Sequence, residues 1–316
     1  MVGKDFNSGC ELTRMKSTSE KHWRSLLGTD LWGLFQKFGS SVAKVEMLTT
    51  LASPCLRRGA YKVTYEDGSV FKGRCFERAV EADRVSTLSR FLDPNHFPAV
   101  LEVNGKGAVI EWVDGHPLNH GNFNREHIEM AAGIQAALAV TPLPSAFSST
   151  PHCQSGFWKR LFESRVHFLF NTGIITTPQA AKLLETTREW TPPSIAVGLT
   201  HGDLCVENIL IDGNGNLFVI DLETLSVTAI AYDLARTLYR WPMTPDERAV
   251  YLAAYERTVK IDDLLDNLPF WILLVLCNSV VFRFRGQIQN VGEAIGELEG
   301  ALNCRSEKDL LRRYGW

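Results

Sequence analysis

A chain of 316 residues, 45% hydrophobic and 22% charged, has enough apolar content for one large core or two smaller lobes, which excludes a disordered protein. Its net charge of −3 excludes a whole-molecule electrostatic footprint for nucleic acid or anionic membrane. The seven cysteines, Cys10, Cys55, Cys75, Cys153, Cys205, Cys277 and Cys304, form no CxxC pair, which suits reduced thiols in a cytoplasmic protein.

Residues 1–40 show neither the apolar core of a signal peptide nor the composition of a transit peptide, and are expected as a helical N-terminal extension. Residues 41–112 read as strand-rich with one helix. Two alternating segments flank Asp67-Gly68, a dipeptide suited to a tight turn, and predict an antiparallel hairpin over 60–76. In the next segment, Glu81, Val85, Leu88 and Leu92 recur at helical spacing on one face. Two more strands are predicted around Asn104-Gly105. Residues 113–118 then break the pattern and are expected as a linker.

From 119 to 316 the chain reads as mainly helical. A helix over 125–140 ends at Thr141-Pro142, and further helices are predicted over 232–241 and 246–259. The most apolar stretch, Leu268 to Phe284, is interrupted by Asn278, Ser279 and Arg283 and is short for a bilayer, so a buried C-terminal helix is expected. Residues 1–112 hold 16 basic against 13 acidic side chains, and residues 113–316 hold 17 against 23. That acidic excess, with Glu207 and Glu223 beside the reacting centre, predicts a basic-amine acceptor and makes these two glutamates candidate acceptor contacts.

The chemistry concentrates between Leu199 and Thr224. Asn208 to Ile211 and Leu217 to Ile220 are short apolar segments joined by a turn of Asp, Gly and Asn residues. Folding that hairpin presents the amide of Asn208 and the carboxylate of Asp221 at its open end, a pair of hard oxygen ligands suited to magnesium. Upstream stands His201-Gly202-Asp203, and a carboxylate on this loop can orient an acceptor hydroxyl and take its proton. The spacing His-x-Asp-x-x-x-x-Asn, with a second Asp 18 residues after the first, matches the catalytic loop and metal aspartate of kinases.

With Gly202 in place of arginine, and Asp221-Leu222-Glu223 in place of Asp-Phe-Gly, the segment HGDLCVENILID…VIDLE resembles the aminoglycoside phosphotransferase and choline kinase superfamily. The resemblance runs from about residue 45 onward and includes EWVDGHPL and YDLARTL. It implies an α+β, protein-kinase-like two-lobed fold, with a small antiparallel-sheet N-lobe carrying one main helix and a larger, mostly helical C-lobe. It also implies an ATP-dependent phosphotransferase acting on a small-molecule hydroxyl, such as an aminoglycoside-like compound or an amino alcohol. Asp203 would be the base, Asn208 and Asp221 the magnesium ligands, and Asp233 a support for the catalytic loop. The helix N-cap is the competing role for Asp233. His201 is expected to pack and to hydrogen-bond the loop backbone.

In the first lobe, Val70, Lys72, Arg74 and Phe76 share a strand face. Lys72 stands where the family's phosphate-binding lysine belongs, with Arg74 as the competing cation and Val70 against the adenine. Glu81 is the expected partner of Lys72, with Glu77 as the alternative, and Glu111 and Val113 would meet adenine through backbone groups. The segment Ser53 to Gly59 has one glycine and no GxGxxG pattern, and Arg57 and Arg58 in it are read as solvated loop arginines, with a phosphate contact as the alternative. That departure keeps open a nucleotide-binding or regulatory protein without transfer. The sequence does not decide between ATP and GTP, names no acceptor, and is compatible with a monomer or a homodimer.

Overall fold

The computed structural model describes residues 8–39, 41–48, 59–119, 123–147, 150–286, 291–304 and 306–314. The chain divides into two compact units, one of residues 1–90 and 97–114 and one of residues 91–96 and 115–316.

The first unit contains helix α1 (Ser8–Phe38), strands β1 (Val42–Met47), β2 (Gly59–Tyr65) and β3 (Val70–Cys75), helix α2 (Ala79–Ser89), and strands β4 (Val100–Asn104) and β5 (Gly107–Glu111). The strands form one antiparallel sheet in the order β1-β2-β3-β5-β4. Both predicted turn glycines take positive φ, 86° at Gly68 and 54° at Gly105, a conformation that a residue with a Cβ rarely adopts and that lets each hairpin close. On α2, Ala82, Val85 and Leu88 are buried. Leu92 lies beyond the helix, which ends at Ser89, so the helical face read from the sequence is one turn too long.

The N-terminal segment is no appendage. Around a kink at Gly28, Leu27, Leu31, Leu34 and Phe35 of α1 are buried with Tyr61, Val63, Tyr65 and Val109 of the sheet. Two strand glycines admit the helix: a Cβ on Gly107 would lie 2.9 Å from the Leu31 backbone, and one on Gly73 would lie 2.7 Å from the Phe35 ring. The hydroxyl of Tyr65 donates to the Phe35 carbonyl and that of Tyr61 to the Leu26 carbonyl. Phe35→Ala should therefore cost about 3–5 kcal/mol, as core phenylalanine truncations do, measured by equilibrium urea denaturation. An unchanged midpoint would mean that α1 is not part of this core.

The second unit holds β6 (His116–Pro117), α3 (Arg125–Ala139), α4 (Ser155–Asn171), α5 (Thr177–Glu189), β7 (Val197–Thr200), β8 (Ile209–Ile211), β9 (Leu217–Val219), β10 (Ser226–Ala229), α6 (Ile230–Arg240), α7 (Pro245–Glu256), α8 (Asp262–Asp266), α9 (Leu268–Arg285), α10 (Val291–Leu302) and α11 (Glu307–Arg313). Residues 112–115 have no regular structure, but His116 and Pro117, expected in the linker, pair with Ile211 and Leu210. Helix α9 is long and apolar enough to cross a membrane, yet 67% of it is buried within the protein. The architecture is α+β, with the sheet in the N-terminal part and a mostly helical C-terminal part.

Candidate active site

In the second unit, β7 and β10 pair antiparallel, and the chain between them carries the predicted chemistry. Residues 201–208 form a loop that ends in a 3-10 turn over Val206–Asn208, and the β8–β9 hairpin follows. Asn208 belongs to that turn rather than to the strand expected from the sequence. Its carbonyl accepts the Ile220 N–H at 2.9 Å, so Asn208 and Asp221 lie at the same end of the hairpin. The hairpin turn is closed by Asp212, whose Oδ1 accepts the N–H groups of Asn214 and Asn216 at 2.8 Å.

Asp221 has φ 64° and ψ 61°, the sole non-glycine with positive φ among the described residues. Such a conformation persists where surrounding structure over-determines it, and it clusters at functional sites. Here the His201 ring holds the preceding residue, its Nε2 lying 2.9 Å from the Ile220 carbonyl oxygen. His201 is fully buried, and its ring acts on the backbone of the turn that bears Asp221. Thr224 Oγ1 donates to the His201 carbonyl at 2.7 Å and closes the turn from the other side.

The glycine after His201 has a local cause. Gly202 has φ 78°, and a Cβ there would meet the Thr224 carbonyl oxygen at 2.8 Å. Its N–H donates to Asp233 Oδ1 at 2.8 Å. Asp233 is not the N-cap of α6, a place taken by Ala229; it lies in the first turn and is buried. Its Oδ2 accepts from Gln135 Nε2 at 2.8 Å, Gln135 Nε2 also donates to Thr237, and Tyr251 donates to Gln135 Oε1 at 2.7 Å. Burial pushes the Asp233 carboxyl above the usual carboxylate range, against the opposing pull of Gln135, His201, the Gly202 N–H and Arg236. Helices α3, α6 and α7 thus fix the loop through one satisfied polar network, in which the part of Gln135 was not legible from the sequence.

Asp203, one residue on from Gly202, is more crowded than the sequence suggested. Its Oδ1 accepts from Arg236 at 2.9 Å and lies 3.3 Å from Arg240, both on α6 and one turn apart. Asn208 Nδ2 donates to the Asp203 carbonyl at 2.9 Å and lies 3.5 Å from Asp203 Oδ2. With its Nδ2 engaged there, Asn208 has its amide oxygen for a hard cation. Burial works against the charge of Arg236, but Asp203, Tyr232 and Asp233 outweigh it and raise its pKa. Cys205 is buried, and burial, followed by the Asp203 charge, pushes its thiol up to about 12, so it is a protonated packing residue at neutral pH.

Glu207 is exposed on the turn that bears Asn208, and Glu223 lies two residues after Asp221. Among the described residues no cluster of three or more His, Cys, Asp or Glu side chains could hold a metal alone. Asn208 and Asp221 are two oxygen donors that could hold magnesium, an ion that takes one or two protein oxygens and completes its shell with phosphate and water.

In the first unit, Phe71, Gly73 and Cys75 face α1, so Val70, Lys72 and Arg74 share the other face of β3. Lys62 stands directly opposite Lys72 in the β2–β3 register and lies over the Trp112 ring, 4.4 Å from its centroid. Sequence reading missed this third cation. Glu81 takes the N3 place of a capping box on α2, with its carboxylate 3.0 Å from Arg78. Glu77 precedes that helix. The N–H of Glu111 donates to the Ala99 carbonyl, which leaves any adenine contact by this residue to its own carbonyl. Residues 53–58 of the expected phosphate loop, Arg57 and Arg58 included, lie outside the described residues.

Residues 57–266 match the phosphotransferase enzyme family. The chain belongs to that family. This phosphotransferase is similar in structure to a macrolide 2'-phosphotransferase type I (16% identity, 94% of this chain and 99% of that one, TM-score 0.62). It is also similar to choline kinase from Cryptosporidium parvum Iowa II (15% identity, 85% and 90%, TM-score 0.62). An amicoumacin kinase, hAmiN, in complex with AMP-PNP, Ca2+ and Ami is similar as well (13% identity, 89% and 96%, TM-score 0.59). Comparison with curated protein sequences finds no match. The fold of this phosphotransferase is accordingly protein-kinase-like.

Proposed function

We propose that this phosphotransferase moves the γ-phosphate of ATP to a hydroxyl of a small molecule, with Asp203 as the base. The observation that carries the proposal is the meeting of Asp203, Asn208 and Asp221 at one end of the β8–β9 hairpin, held by the Ile220 to Asn208 and Asn208 to Asp203 hydrogen bonds. Oδ1 of Asp203 is occupied by two guanidinium groups, so Oδ2 is the oxygen that accepts the hydroxyl proton. As the acceptor oxygen bonds to the γ-phosphorus, the bond from that phosphorus to the β,γ-bridging oxygen breaks and ADP leaves. Asn208 and Asp221 would hold magnesium, which neutralises phosphate charge when bound.

In the first unit Lys72 is assigned to the α- and β-phosphates with Glu81 as its partner, Val70 to the adenine, and the Glu111 carbonyl and Val113 N–H to its edge. Lys72→Ala should raise the KM for ATP and slow turnover, because this reading gives its cation to the α- and β-phosphates. Arg74→Ala should do much less. Steady-state kinetics of the two variants separate the assignments, and a larger defect in Arg74→Ala would reverse them.

The names of the structural relatives cover choline, a macrolide and amicoumacin, so the acceptor must be read from this chain's own side chains. The reading as a whole is tested by coupled detection of ADP with magnesium ATP and a panel of hydroxyl acceptors. Acceptor-dependent ADP release is expected. Nucleotide binding without release for every acceptor would favour the non-transferring alternative.

A further inference from the structure

The side of α6 that meets Asp203 continues beyond it. Arg236 and Arg240 reach the carboxylate, and Tyr232 stands one turn before Arg236, about 6 Å back along the axis. The Tyr232 hydroxyl accepts from Asn278 Nδ2 at 2.7 Å, and Asn278 Oδ1 accepts from Arg165 Nε at 2.6 Å. Arg165 comes from α4 and Asn278 from α9, so three helices converge here. Asn278 interrupts a run in which Leu274, Val275, Leu276, Cys277, Val280 and Val281 are all buried. An amide in such a helix needs polar partners, and it has a tyrosine on one side and a guanidinium on the other.

Arg165 is half-buried, and burial, then the nearby Arg285, holds its pKa below the usual value. Among the described residues no carboxylate lies within ion-pair distance of it; its one hydrogen bond is to the neutral Asn278. Arg236 and Arg240 reach Asp203, and Arg165, brought in from α4, ends the hydrogen-bond chain that starts at Tyr232 of the same helix. Asp233 lies beneath, already engaged by Gly202 and Gln135. The acidic excess of residues 113–316 is spread over the surface, where salt screens charges more than about 8 Å away. Glu207 and Glu223 sit on the turns that bear the metal-side residues. The local charge therefore points away from the amine acceptor expected from composition.

On the reading of Asp203 as the base, we propose that Arg165, set by Asn278 and Tyr232, recognises an anionic group of the acceptor. The hydroxyl phosphorylated at Asp203 then belongs to a carboxylate- or phosphate-bearing alcohol, with its anion lodged one to two turns of α6 from the reacting oxygen. Arg165 is a specificity residue in this account, and Asn278 and Tyr232 position it.

The test uses acceptors matched in skeleton and different in charge: glycerol, serinol, glycerate and glycerol 3-phosphate, and glucose, glucosamine, glucuronate and glucose 6-phosphate. ADP release gives kcat and KM for each, and thermal shift gives binding of the same compounds without transfer. An anionic member should lead its set, and comparing glycerate with glycerol 3-phosphate distinguishes carboxylate from phosphate. Arg165→Gln should raise the KM for that compound roughly ten- to hundredfold, the scale of one charge-assisted hydrogen bond, with a smaller effect on kcat. Arg165→Lys, which keeps the charge, should recover part of the loss. A preference for serinol or glucosamine, or an Arg165→Gln defect that is equal for neutral and anionic members, overturns the inference while leaving phosphoryl transfer intact. Anion-selective binding that depends on Arg165, with no ADP release, supports the anion site and counts against transfer at Asp203. No selectivity in either assay overturns it.

Discussion

Asp203→Asn is expected to retain magnesium ATP binding and to lose roughly 10²–10⁴ in transfer rate, the scale of a positioned base. Asparagine keeps the size of the side chain and an oxygen for the α6 arginines, but it has no site for the acceptor proton. The cost falls on transfer because Asp203 is bonded to Asn208 and to α6, whereas Asp221 leads the turn on the other side of the hairpin end. Single-turnover rates measured beside a titration with a nonhydrolysable ATP analogue separate transfer from binding. A variant that transfers at the wild-type rate would remove Asp203 from the mechanism, and one that no longer binds nucleotide would place it on the metal.

Asp221→Asn should have the opposite profile, with magnesium-dependent nucleotide binding and turnover lost together. The substitution is a clean one because asparagine tolerates the left-handed region as well as aspartate does, so backbone strain is unchanged and only the charge is removed. Alanine at the same place would add about 1–2 kcal/mol of conformational cost and blur the result. Binding should weaken by at least roughly 10–100-fold, a loss that even the outer partners of metal ligands produce when removed. Titrations with and without magnesium measure it. Equal affinity in wild type and variant at saturating magnesium would exclude Asp221 as a ligand.

Local chemistry explains what could be read from the sequence and what could not. Asp67-Gly68, Asn104-Gly105 and the Asp212 to Asn216 turn each write their hairpin into adjacent residues, and all three turns are present. The kinase spacing from His201 to Asp221 survives as a spatial cluster because the intervening hairpin is short and regular. The role of α1 was hidden because its docking depends on Gly73 and Gly107, which lie far along the chain and read locally as ordinary strand residues. Arg236 and Arg240 are visibly one turn apart, but nothing local says that this side of α6 meets Asp203. A charge count over 204 residues says little about one site, because most of those charges are solvated and screened while the guanidinium groups beside the Asp203 carboxylate are close to it. For Asp233 the sequence left two roles open, loop support and helix N-cap, because it stands where an apolar helix opens; the approach of the Gly202 N–H decides for the loop.

The central claim is that this site makes a phosphomonoester from ATP and an alcohol. The most direct measurement is 31P NMR of the wild-type protein with magnesium ATP and the acceptor sets above. The account predicts a new phosphomonoester resonance growing in step with ADP, absent without acceptor and nearly absent with Asp203→Asn. ATP that stays intact with every acceptor, or that yields only inorganic phosphate, would contradict it.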